Sequence, residues 1–311
     1  MNGQAELRIG TRASPLALWQ ANEVRRLLLA AHPDLGPDDV AIVEITTTGD
    51  RIRDRALAAV GGKGLFTKEI EEALAENRVD LAVHSMKDVP TVLPDGMEIS
   101  TILPREDPRD AFMSNIARGI ADLPVGAVVG TASIRRQAQL LHRRPDLQVI
   151  TFRGNVGTRL EKLDRGEVAA TFLAHAGLRR LGLTDRITAL IAPEEMLPAV
   201  AQGAIGIEIR SADDNTRARL APLDDPRTAV AVTAERALLA ALDGSCRTPI
   251  AALALPGDDG ALWLRGEIVM PDGSIRHTAE RRGAVADAFA MGDDAGRELK
   301  ALGGPAFIAA I

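Results

Sequence analysis

The chain is predicted to fold as two similar α/β lobes followed by a small C-terminal α+β domain. Three observations carry this reading. Up to residue 182, short β-branched runs alternate with helical stretches across Gly-, Ser- and Thr-rich turns, the pattern of α/β layers. Two strand–loop–helix openings resemble each other: Ile9-Gly10-Thr11-Arg12-Ala13-Ser14 and Val129-Gly130-Thr131-Ala132-Ser133-Ile134. After residue 228 the order changes to a long Ala/Leu helix, three strands and a closing helix. The 311 residues suit two or three domains, and 46% hydrophobic content is ample for their cores.

The elements follow in order. Glu6 to Ile9 reads as a strand, and Ser14 then Pro15 form an N-cap and first-turn pair for a helix to about Ala31. Val40 to Thr46 is a β-branched strand ending at Thr47-Thr48-Gly49-Asp50. Gly61-Gly62-Lys63-Gly64 is a loop before a helix from Leu65 to about Glu76. Val79 to Val83 is a strand with His84-Ser85-Met86-Lys87-Asp88-Val89-Pro90 at its carboxyl end, where open α/β sheets bind ligands. Ala127 to Val129, Gln148 to Phe152 and Ala169 to Ala174 are strands. Helices follow them from Ile134 to Leu141, from Val156 to Asp164, and up to Arg180. Thr228 to Leu242 is the long helix. Ala251 to Leu255, Ala261 to Met270 and Ser274 to Arg282 are strands, the last two joined by a tight Pro271-Asp272-Gly273 turn. Ala284 to Leu302 closes the chain.

Composition excludes several classes. No apolar run approaches the ~20 residues that cross a bilayer, so no membrane role is expected. The start, Met1-Asn2-Gly3-Gln4-Ala5-Glu6, lacks the order of a secretory signal. A single cysteine fits a reducing cytoplasm. A net charge of −6 argues against nucleic acid, and with no Tyr and six Phe there is no evident stacking platform. The five His show no paired metal spacing, so no metal site is expected.

The placement of basic residues is more informative than their number. Arg outnumbers Lys by 32 to 5. Arg12, Lys63, Lys87, Arg135, Arg136, Arg153 and Arg159 all lie in or beside Gly-, Ser-, Thr- or Asn-rich connections. Helix N-termini after such turns offer free N–H groups and a positive dipole end. Arginine adds a planar fork that matches a carboxylate. The combination points to capture of a ligand carrying several anionic groups. Phosphate is the weaker choice, since no Walker-type or Gly-x-Gly-x-x-Gly run is present. Cys246, in Asp243-Gly244-Ser245-Cys246-Arg247-Thr248-Pro249, sits in a turn. A free cysteine also packs as a small hydrophobe, so spacing alone leaves both readings open.

The blocks Arg12-Ala13-Ser14-Pro15-Leu16-Ala17, Gly61-Gly62-Lys63-Gly64-Leu65-Phe66, His84 to Pro90, Ser133-Ile134-Arg135-Arg136, Arg153-Gly154-Asn155 to Arg159 and the Cys246 turn occur in this order. Over nearly its whole length the chain resembles the porphobilinogen deaminase family, also called hydroxymethylbilane synthases. The resemblance implies an enzyme of tetrapyrrole synthesis. It joins four porphobilinogen molecules head to tail, releases ammonia each time and hydrolyses the product to hydroxymethylbilane. It also implies a dipyrromethane cofactor, built from substrate and held by a thioether to Cys246. The implied fold has two lobes like periplasmic anion-binding proteins, 1–103 with 203–222 and 104–202, and a C-terminal domain, 223–311, carrying the cysteine.

Residue roles come from the same resemblance. Asp88 matches the catalytic aspartate, expected as an anion facing pyrrole nitrogens, where it would stabilise the cationic azafulvene. Lys87, Asp50, Thr131, Ser133, Arg135, Arg136 and Gly154 match cofactor-binding positions. Arg12, Ser14, Lys63, Phe66, Arg153, Arg159, Arg180 and Gln202 match substrate-binding ones. His84 reads equally as a site residue or a hydrogen-bonded structural His. Four positions depart from the family pattern: Ala132 for Ser, Ala201 for Gly, Ser245 for Gly, and His175 for a small apolar residue. The expected partners are porphobilinogen and the growing polypyrrole, with the chain a cytoplasmic monomer that can hand product to the next pathway enzyme. Two rivals remain, a polyanion-binding protein and a cysteine-nucleophile hydrolase. The first leaves the cysteine turn and Asp88 unexplained, and the second lacks an identifiable base.

Overall fold

The structure is a computed structural model describing residues 6–51, 66–245 and 248–310. Its described residues gather into two compact units, one from 6–105 with 204–229, the other from 106–203 with 230–310.

Among the described residues, the first part of the chain holds six strands and four helices. They are β1 (Leu7–Arg12), α1 (Pro15–Ala31), β2 (Val40–Ile45), α2 (Thr48–Arg51), α3 (Lys68–Ala75), β3 (Leu81–Ser85), β4 (Met97–Ile102), β5 (Asp110–Ser114), β6 (Val128–Gly130) and α4 (Ile134–Arg143). Next come β7 (Gln148–Ile150), α5 (Val156–Asp164), β8 (Ala170–Ala174), α6 (His175–Arg180), β9 (Ala189–Leu190), β10 (Ile205–Arg210) and α7 (Asp214–Leu220). The last are α8 (Pro226–Ala241), β11 (Ile250–Pro256), β12 (Ala261–Val269), β13 (Arg276–Ala284) and α9 (Ala288–Ala310).

The first unit holds a five-stranded sheet in the order β2-β1-β3-β10-β4. β1 runs parallel to β2, with Leu7 opposite Val40, and parallel to β3. β10 is antiparallel to both neighbours. Alternation along β1 sends Leu7 and Ile9 against Ala21, Val24 and Leu28 of α1. Ile45 and Ala82 pack with Ile70, Ala73 and Leu74 of α3 in a separate cluster.

The second sheet, β7-β6-β8-β5-β9, has the same plan. β6 is parallel to β7 and β8, and β5 is antiparallel to β8 and β9. In each sheet the antiparallel strand follows directly where the chain crosses between units, β5 on leaving the first and β10 on returning. Phe112 and Phe172 pack at 5.9 Å beside Val129 and Leu140, while Leu160, Leu163 and Leu178 form a second cluster with Met113 and Phe152. The two-lobe reading is thus visible in strand order, not only in a repeated Gly-Thr.

β11, β12 and β13 form an antiparallel sheet, with β12–β13 as the expected hairpin. α8 and α9 approach closely at Gly292 and Gly296, where a Cβ would lie 2.1 Å from Ala234 O and 2.6 Å from Leu238 O. Within this unit the hairpin turn docks on α4. Gln137 donates to Pro271 O at 3.2 Å, and a ring nitrogen of His142 lies 2.8 Å from Gly273 O.

The structure departs from the sequence reading in several places. β4, β5, β9 and β10 were not expected, and β3 begins two residues later than Val79. Arg8 N donates to Asp80 Oδ2 at 2.8 Å, so Asp80 turns toward β1 before the strand starts. α9 continues beyond Leu302 across a kink at Gly304, whose φ of 59° breaks the helical path before Pro305.

Candidate active site

Two groups of the sequence-predicted residues assemble, one in each unit. In the first, β1 delivers Arg12 and the N-cap of α1 is Ser14, whose hydroxyl accepts from Ala17 N at 3.3 Å. The Arg12 guanidinium lies 4.3 Å from the Phe66 ring centre, a cation–π contact that joins two of the expected residues. Lys87 and Asp88 occupy the short turn at the carboxyl end of β3, both half-buried.

Three anchors fix that turn. Ser85 Oγ accepts from Gln20 Nε2 at 2.8 Å. Met86 packs over Gly206, where a Cβ would lie 2.0 Å from its sulfur. His84 Nε2 sits 2.8 Å from Glu208 Oε2, both buried. His84 is therefore held inside the sheet as a structural partner of β10. Burial pushes the nearby Glu71 carboxyl up, and the Glu208 charge adds to this.

The second group is built around a residue the sequence reading missed. Asp110 opens β5 and is fully buried. Arg135 Nη2 donates to its Oδ2 at 2.8 Å, Arg136 Nη2 to its Oδ1 at 2.8 Å, and Gln202 Nε2 to the same Oδ1 at 2.8 Å. Burial works to raise the Asp110 carboxyl, but the two guanidinium charges overcome it and hold the group far below the usual carboxylate range. Arg135 Nη1 donates to Leu197 O at 2.5 Å, and Arg136 Nη1 to Phe172 O at 2.9 Å. Burial lowers the pKa of Arg135 despite Asp110, and the neighbouring Arg136 adds to the fall. Burial, then repulsion from Arg136, pushes Arg159 down to about 10. No partner for the buried Nε atoms of Arg135, Arg136 and Arg153 occurs among the described residues.

The loops supporting these cations obey local rules. Ser133 caps α4, accepting from Arg136 N at 3.4 Å, and Thr131 Oγ1 accepts from Ser133 N at 3.1 Å. Asn155 caps α5. Gly154 has a φ of 126°, a conformation that favours glycine, and a Cβ there would strike Thr158. Arg180 donates to Gly203 O at 2.6 Å, and Gln202 is buried with its amide also on Pro108 O. These two expected substrate residues lie beside the crossover segments. Also there, His175 Nδ1 is 3.1 Å from Asp107 Oδ2. Burial would raise the Asp107 carboxyl, but Arg109 and His175 more than offset it and hold it at about 2. Ala201 has a φ of 57°, which explains why glycine suits this position, and its N–H donates to the buried Glu235 at 2.6 Å.

Lys63 and Cys246 lie outside the described residues, as does the side chain of Asp50. On either side of Cys246 the chain is well tied. Ser245 N donates to Thr248 Oγ1 at 3.0 Å, and Thr248 Oγ1 donates to Ser245 O at 2.7 Å.

Two buried guanidinium groups on one carboxylate leave a surplus of positive charge with unused donors. That arrangement fits a ligand bearing several carboxylates. Residues 7–218 match the family model described as porphobilinogen deaminase, dipyromethane cofactor binding domain, and residues 229–301 match the porphobilinogen deaminase C-terminal domain. The chain belongs to the porphobilinogen deaminase family. It is 57% identical over 298 residues to porphobilinogen deaminase of Paracoccus denitrificans, covering 96% of this chain and 94% of that one. It is 55% identical over 304 residues to the chloroplastic porphobilinogen deaminase of Oryza sativa, covering 97% and 85%. Among solved structures it is similar to a periplasmic substrate-binding protein of an ABC transporter from Coxiella burnetii, with TM-score 0.43 and 16% identity over 70% of this chain and 89% of that one. As a porphobilinogen deaminase the chain is a transferase of tetrapyrrole synthesis. It condenses four porphobilinogen molecules with loss of ammonia and uses a dipyrromethane cofactor. No helix among the described residues is long and apolar enough to cross a membrane.

Proposed function

We propose that Cys246 anchors the dipyrromethane through a thioether and that Asp88 is the catalytic centre of each condensation. The observation that carries this reading is the buried arginine surplus around Asp110, which calls for ligand carboxylates. The cofactor, when bound, supplies the nucleophilic pyrrole carbon from which the chain grows. Arg135 and Arg136, with Thr131, Ser133, Gly154, Lys87 and Asp50, hold its acetate and propionate groups. Arg12, Ser14, Lys63, Phe66, Arg153, Arg159, Arg180 and Gln202 receive incoming porphobilinogen and the lengthening product.

Asp88 faces the pyrrole nitrogen of the substrate as ammonia departs. A fixed carboxylate there stabilises the positive charge that develops, and it needs no reorganisation to do so. Its rigidity comes from His84 and Ser85 on the preceding strand and from Met86 at the start of the turn. The functional division is 1–103 with 203–222, 104–202, and 223–311, with the cysteine in the last part. The enzyme works as a cytoplasmic monomer and can pass hydroxymethylbilane directly to the next enzyme of the pathway.

Intact-mass measurement tests the reading. The purified parent should carry a covalent excess of two pyrrole units, and Cys246→Ser should fold without it. A Cys246→Ser protein that turns over normally with no bound pyrroles would sink the assignment.

A further inference from the structure

We propose that Asp110 is the positioning residue of the cofactor cradle: one carboxylate sets the direction of both Arg135 and Arg136 while leaving the group net positive for the ligand. This deepens the reading above and rests on it. Each guanidinium gives Asp110 a single Nη, at 2.8 Å, and spends its other Nη on a main-chain carbonyl of a different segment, Leu197 or Phe172. Three points therefore define the plane of the pair: two carbonyls outside and Asp110 between. The third bond to the carboxylate, from Gln202 at 2.8 Å, fixes Asp110 itself against rotation.

The charge count explains why the pair is not simply neutralised. Arg135 and Arg136 bring two positive charges to one aspartate, and Arg136 is close enough to Arg159 to help depress it. Arg135 and Arg136 are 5% and 6% exposed, yet the Nε of each finds no partner among the described residues. A buried donor without an acceptor is costly, so these atoms mark where ligand oxygen belongs. Moving Asp110 by one methylene would swing both Nε donors together, and fixed geometry within about 0.5 Å matters at such sites.

The experiment uses the full chain prepared without cofactor and then given porphobilinogen. Intact mass follows the gain of two pyrroles, and thermal unfolding reports the fold. Two variants are compared, Asp110→Glu and Asp110→Asn. Glu keeps the charge and shifts it. The expected result is a thermal midpoint near the parent's for Asp110→Glu, with cofactor loading slowed at least about tenfold. A counter-ion role alone predicts the opposite, normal loading by Glu. If the folded Asp110→Asn protein loads faster than the parent, its surplus positive charge is what matters and positioning is overturned. A parent that gains no two-pyrrole mass would overturn the underlying reading and this assignment with it. A loaded parent beside an equally well loaded Asp110→Glu would overturn this assignment alone.

Discussion

Replacing Arg159 by methionine should stabilise the cofactor-free protein while weakening substrate capture. The reasoning starts from charge. Burial and the neighbouring Arg136 bring Arg159 down from the ordinary arginine range to about 10, so its cation is disfavoured in the folded state. That fall corresponds to about 3 kcal/mol. Arg159 is only half-buried, and solvent screening reduces the cost to about 1–2 kcal/mol. Its hydrogen bond to Asn155 O, at 3.4 Å, is long and returns about 0.5 kcal/mol. Methionine keeps the apolar stem and loses the charge. The net expectation is a gain of about 1 kcal/mol, read by urea unfolding of the cofactor-free protein.

The pH dependence carries the sign. Because the folded-state pKa is depressed, the penalty is fully present below about pH 10 and is relieved as pH rises above it. The gap between variant and parent should therefore stay flat from roughly pH 6 to 9. Porphobilinogen addition, followed by mass, should slow in the same variant. An Arg159→Met protein less stable than the parent by more than about 1 kcal/mol would refute the account.

Three further outcomes are expected. Gly206→Ala places a Cβ 2.0 Å from the Met86 sulfur, so it should cost about 1–3 kcal/mol and lower kcat by disturbing the Asp88 turn; Met86→Ala should cost less in the Gly206→Ala background than alone, and strictly additive losses would refute the contact. Ala201→Gly should raise the calorimetric midpoint by about 1–3 °C, since relief of about 1–2 kcal/mol of left-handed backbone strain exceeds the entropy added to the unfolded chain; a fall would contradict it. Asp88→Asn should slow single porphobilinogen additions by about 10²–10³-fold, with Asp88→Glu retaining more activity; equal rates for the two variants would remove Asp88 from the electrostatic role.

Much of this molecule was legible in the chain. Strands followed by glycine–threonine turns and capped helices are local events, set by β-branched runs, Ser14, Ser133 and Asn155. α5 was expected with its observed bounds for that reason. The hairpin around Pro271-Asp272-Gly273 is local too. Family motifs supplied most of the charged candidates, because those motifs sit at strand ends and helix starts.

What the sequence alone determined was therefore the local grammar: lobes of alternating elements, a distinct C-terminal unit, and a set of cations in turns. Tertiary structure decided how those cations are held. Asp110 lies 25 residues from Arg135, and Gln202 another 67 beyond it, so no spacing rule joins them. His84 and Glu208 meet only because β10 returns to pair with β3. β5 and β10 are likewise placed by partners from distant segments. Burial also comes from packing, and with the charge of Arg136 it lowers the Arg159 guanidinium to about 10.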